Sequence, residues 1–302
     1  MSYEPIPPTD DCLYDMVRRV YWGRYLAEER AIYGPIEDWD TSLIEDMSGL
    51  FANLRAFNRD LSRWNTSRVK TMRGMFRGAK AFNRPLGNWD VSQVECMAGM
   101  FQGASSFNQP LETWNVSRVT DMDCMFDAAE SFNQPLAGWD TGAVTSMHCM
   151  FYGATSFNQP LEAWNVSRVK TMSLLFYGAR AFNQPLGGWD TGAVTTMRSM
   201  FEDAERFNQP LEGWDVRRVT DMSLMFQGAG AYDQLPDQWD LCDTYYSHAQ
   251  LERMHKKRIL RAMSLFMAVL PPLIVSTTTN VAGALMLAVA GALLLAAAAY
   301  LT

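Results

Sequence analysis

The 302-residue chain is 48% apolar and 20% charged, which excludes a disordered chain and leaves room for one or two folded domains. Its formal charge of −7 is uneven: all 33 acidic residues lie at or before Glu252, so residues 1–254 hold 33 acids against 22 bases, a net of −11. A surface of that sign repels phosphate backbones, and nucleic acid is not an expected partner.

The N-terminal stretch "MSYEPIPPTDDCLYDMV" has neither a basic start nor an apolar core and does not read as a signal peptide. Residues 1–31 form the first predicted element, an amphipathic helix from about Asp10 to Ala31. Its apolar side (Leu13, Met16, Val17, Val20, Tyr21, Tyr25) caps the segment that begins at residue 32, with Gly34 and Pro35 closing the helix.

From residue 32 to 241 the sequence repeats. Trp39, Trp64, Trp89, Trp114, Trp139, Trp164, Trp189, Trp214 and Trp239 are spaced by 25, and columns of Phe, Met and Val keep the same step. A fixed period with invariant apolar columns predicts a solenoid, in which each unit buries its apolar face only against its neighbours. Within a unit, Val119, Met122, Met125, Phe126 and Ala129 follow helical spacing. They predict a short helix with Ser117 as N-cap and Gly103, Gly153 or Gly178 near the far end in sister units. "FNQPL" contains a proline and predicts a short extended segment stacked on its copies as a parallel ladder at ~4.8 Å per step. The Asn column from Asn58 to Asn208 is expected to satisfy backbone groups buried in the turns.

The unit "FNQPLxxWDVSxVTDMxxMFxGAxxF" resembles the 25-residue repeat of the BspA-like leucine-rich-repeat surface proteins, a mycoplasma-type repeat, over about two-thirds of the chain. The resemblance implies a right-handed leucine-rich-repeat-like solenoid of short strands and helices. It implies a role in surface or protein–protein interaction, with no catalytic residues and no cofactor.

Residues 242–258 read as a polar, basic linker ending in "HKKR", and 259–301 as a membrane anchor without a charged side chain after Arg261. Val281 to Leu301 is long enough to span a bilayer; Ile259 to Val275 is shorter, interrupted by Pro271 and Pro272, and is either a second span or an interfacial segment. Ala284, Ala288, Ala292 and Ala296 give the long segment a small-residue face for a partner helix. The positive-inside rule puts "HKKR" and the repeats on the cytoplasmic face of the membrane. The family resemblance implies the opposite, surface-exposed side, and a lipid-anchor tail signal is a rival reading of 281–301.

No constellation supports catalysis. His148, His248 and His255 are far apart in sequence, and an enzyme is not expected. Asp121, Asp123 and Asp127 lack the glycine and terminal Glu of a calcium loop and read as a solvated acidic helix face, so no metal is predicted. Five cysteines without a CxxC lean towards a reducing compartment. Cys124 and Cys149 share one repeat column, within disulfide range if rungs stack, although the column's other members favour small packed residues. Asn65, Asn115 and Asn165 match glycosylation sequons that the repeat itself explains.

Arg68, Arg118, Arg168 and Arg218 recur every fifty residues, alternating with Gln93, Ala143 and Ala193, just before the apolar stripe. They are the candidate partner-binding residues, an exposed guanidinium row for an acidic or carboxylate-bearing protein. The expected function is a membrane-tethered, non-enzymatic interaction scaffold; the alternative is a virion, envelope or cell-surface component that self-associates through the solenoid.

Overall fold

A computed structural model describes residues 4, 6, 10–234 and 256. The expectations for residues 242–301, including the anchor and its alanine face, lie outside the described residues apart from Lys256. The chain divides into two units, Met1–Ser247 and His248–Thr302. Among the described residues no helix is long and apolar enough to cross a membrane.

The repeats stack as rungs, one per 25 residues. Parallel bridges join Asp46 to Thr71, Thr71 to Cys96 and so on through Asp221. Inside the stack the Trp, Phe, Met and Leu columns are almost fully buried. Trp139 lies parallel to Trp114 and Trp164, ring centroids 6.5 and 6.2 Å away. From Trp64 to Trp214 each indole finds its one necessary acceptor 28 residues back, in the rung before, as Trp139 Nε1 does at the Leu111 carbonyl, 2.9 Å away.

The predicted helix in each unit is not there. N–H groups of Met47, Gly49, Phe51 and Asn53 donate forward, to carbonyls of Thr71, Arg73, Met75 and Arg77. Those of Leu50, Ala52 and Leu54 instead close tight turns onto Met47, Gly49 and Phe51. A helix would keep all of these bonds within its own segment. What prevents it is a left-handed residue at two places per rung, four residues apart, as at Gly49 (φ 63°) and Asn53 (φ 62°). Helical spacing and a chain of three-residue turns both return an apolar residue inward every three or four positions. Ser117 accordingly caps nothing: its N–H closes a turn onto Asn115 Oδ1.

The predicted strand at "FNQPL" is also absent. Its rungs are tied by side chains: Asn108 N–H donates to Asn83 Oδ1 at 3.0 Å, Asn133 N–H to Asn108 Oδ1 at 2.9 Å, and the column continues to Asp233. The asparagines thus satisfy the backbone as expected. Gln109 and Gln134 add a second donor to the same oxygens. Because proline has no N–H to offer a ladder, side-chain amides carry the inter-rung bonding here.

At the N-terminal end the single predicted helix is two, α1 (Asp10–Tyr21) and α2 (Ala27–Tyr33). Gly23, at φ 67°, ends the first. Leu13, Met16 and Val17 of α1 are buried. Arg18 donates to the Ala52 carbonyl at 3.1 Å, and the Tyr21 hydroxyl accepts the Ala56 N–H at 3.4 Å. In every inner rung but one the N–H of that column bonds to the preceding rung, as Ala81 does to Arg55. Tyr21 therefore supplies what a missing rung would.

Candidate functional site

Each arginine of the row comes after a turn in which an Asn or Asp side chain accepts the N–H two residues on, and precedes the valine column, which is buried at Val69, Val119 and Val169. That turn points the arginine outward, and Arg68, Arg118, Arg168 and Arg218 are all exposed. At two rungs each, neighbours are about 10 Å apart. Arg68 is held by Glu45, 3.2 Å away, which also takes Lys70 at 2.6 Å. Those two cations hold the Glu45 carboxyl below the usual range. Arg118 donates to Gln93. Among the described residues, Arg118, Arg168 and Arg218 form no ion pair with a carboxylate. Beside Arg218, Asp215 is spoken for: Arg217 and its backbone N–H pull it down to about 2.

A second cluster lies on the turn ladder. Asp121 accepts from Asp123 N–H at 3.0 Å and Arg73 Nη2 at 2.9 Å, and Asp123 Oδ1 takes the His148 N–H at 2.8 Å and the Ser146 hydroxyl. Asp127 is half-buried against Gln102 Nε2 at 2.7 Å; burial pushes its carboxyl up. The three aspartates are therefore ladder residues with protein donors, not a helix face, and among the described residues no group of three ligands is placed for a metal. Next to them Cys124, Cys149 and His148 come together across one rung step, with Cys149 Sγ 3.3 Å from His148 Nε2. Tyr152 and Tyr177 stack beyond them, centroids 4.5 Å apart.

A family model described as "Mycoplasma protein of unknown function, DUF285" matches residues 24–138, 86–180 and 160–258. The chain belongs to the DUF285 family. The overlapping matches are what a repeat produces when its units superpose on one another, and the protein is a mycoplasma-type repeat protein. No curated protein and no solved structure matches it.

Within this DUF285 chain the arginine row was visible in the sequence as a column. The thiol–imidazole cluster was half visible. Cys124 and Cys149 share a column, whereas His148 is far in sequence from the two other histidines. His248 and His255 lie outside the described residues. Stepping by 25 instead would have set the His148 segment beside Asp123 and Cys124.

Proposed function

We propose that the protein is a non-enzymatic scaffold of the BspA-like, leucine-rich-repeat-like kind, a solenoid that holds a carboxylate-bearing protein partner. Arg68, Arg118, Arg168 and Arg218 are its contact row, and residues 259–301 tether it to a membrane with the repeats on the cytoplasmic face. The observation that carries this is the row itself: outward guanidiniums at a fixed two-rung interval on a rigid frame, three of them without an ion-pair partner among the described residues. A guanidinium offers paired donors that match a carboxylate, and a rigid spacing rewards acidic residues at the same interval. The domain's net negative charge opposes long-range attraction, so recognition rests on contacts within the Debye length of about 8–10 Å.

The test is binding of the full chain to a polyglutamate peptide. Arg118→Ala, Arg168→Ala and Arg218→Ala combined should weaken it about tenfold or more. Unchanged affinity in the triple variant would remove the row from the account. Protease protection of intact membranes tests the tether, and glycans at the exposed Asn65, Asn115 or Asn165 would place the repeats on the other side.

A further inference from the structure

Cys124 and Cys149 are free, one rung apart in one column. Cys149 Sγ stands 3.3 Å from His148 Nε2. Both backbones are clamped in the ladder: Cys124 N–H bonds the His148 carbonyl at 2.8 Å and Cys149 N–H the Ser173 carbonyl at 3.1 Å. Parallel rungs stand ~4.8 Å apart, inside the Cα separation of about 4.4–6.8 Å that a disulfide spans. Cys149 is 9% exposed, while Cys124 is half-buried and meets solvent first. Packing alone needs a small or apolar residue here, as Gly99, Ser199 and Leu224 show elsewhere in the column. It does not need two thiols in register with an imidazole against one of them.

We infer that Cys124 and Cys149 form a peroxide-oxidisable pair, with Cys124 the reacting thiol, Cys149 the resolving one and His148 the proton acceptor. The Cys124 sulfur attacks one oxygen of a hydroperoxide. The O–O bond breaks and the other half leaves as an alcohol or water with the thiol proton, giving a sulfenic acid. The Cys149 sulfur then attacks the Cys124 sulfur. Its proton passes by way of His148 Nε2 to the departing oxygen, the S–O bond breaks and water leaves. The pair loses two electrons and the peroxide gains them. The order of the two thiols follows their exposure, Cys124 being the more open of the pair.

Reduced full-length protein treated with hydrogen peroxide, then alkylated and mapped by mass spectrometry, tests this. The expected product has lost two hydrogen masses and two alkylatable thiols, with the peptides of Cys124 and Cys149 linked. Cys149→Ser, a residue the column already holds at Ser199, should leave Cys124 as a sulfenic acid that dimedone traps. His148→Asn should slow closure of the disulfide several-fold while leaving the first oxidation unchanged. Oxidation of Cys12 or Cys96 ahead of Cys124, or a disulfide formed only between two chains, overturns the assignment. So does a Cys149→Ser protein in which dimedone finds nothing.

Discussion

Eight described residues other than glycine sit in the left-handed region: Asn53, Cys124, Ala128, Cys149, Leu174, Ser199, Asp203 and Leu224. An L-residue there pays about 1–2 kcal/mol for the clash of its Cβ with the following carbonyl. Glycine avoids that clash but gives up about 0.5–1 kcal/mol of chain entropy on folding. At Ala128 the sister rungs use Gly103 and Gly153 at φ 67° and 60°, and the alanine is only half-buried. Ala128→Gly should therefore raise stability by roughly 0.5–1 kcal/mol, read as a higher urea midpoint with an unchanged slope. The reverse change, Gly103→Ala, should cost more than it returns, because at φ 67° the added Cβ clashes with its own backbone, although its nearest neighbour, the Gly78 Cα at 3.6 Å, is at ordinary contact distance. These paired columns were also the sequence's own warning. One glycine near the end of a periodic run fits a helix cap, but two, four residues apart in the same run, do not.

At the scale of the element, what distinguishes the two sides of a rung is which groups carry the inter-rung bonds. The Met–Phe side uses backbone; the "FNQPL" side uses Asn Oδ1. Asn133 Oδ1 serves both Asn158 N–H, at 2.9 Å, and Gln159 Nε2, at 3.1 Å. Asn133→Ala leaves a part-buried N–H without its acceptor, at about 1–3 kcal/mol. Asn133→Asp keeps an acceptor oxygen in place and should lose much less, a contrast that thermal unfolding of the two variants measures directly. Equal losses would mean the asparagine acts through its shape or its own amide donors. The columns themselves were fully legible in the sequence, because a period of 25 assigns every buried position without any knowledge of backbone angles. The backbone was not legible. Side-chain periodicity reports only which residues point inward, and tight turns and a helix share that pattern. The candidate sites divide the same way: exposure of the arginine row can be read from its place beside the valine column, whereas the Cys149–His148 contact depends on where the turns send each side chain.

The described array is quasi-one-dimensional: each rung's backbone bonds only to its neighbours, and the Arg73 side chain reaches one rung further, to Asp121, so the ends are separate problems from the middle. The first rung is completed by α1, where Arg18 and Tyr21 occupy positions on Ala52 and Ala56. Replacing both, Arg18→Ala with Tyr21→Phe, should open the first rung locally. Hydrogen exchange at Ala56 should rise well above wild type while amides near Phe126 and Phe151 keep their protection. A uniform rise along the array would show that the rungs unfold as one body instead.

The asymmetry of the ladder reaches further than the cap. In the rung after the first, four N–H groups (Met72, Gly74, Phe76 and Gly78) donate to the next unit, while three backbone N–H groups point back, Lys70 to Glu45, Ala81 to Arg55 and Asn83 to Asn58 Oδ1. The peptide dipoles along the stack do not cancel, and the surplus leaves outward-facing carbonyls at the first rung. The array is in this sense a polar rod with its negative end under α1. The Arg18 guanidinium, hydrogen-bonded to the Ala52 carbonyl, is a cation placed against that end, as a lysine or arginine is placed at the carboxyl end of a helix.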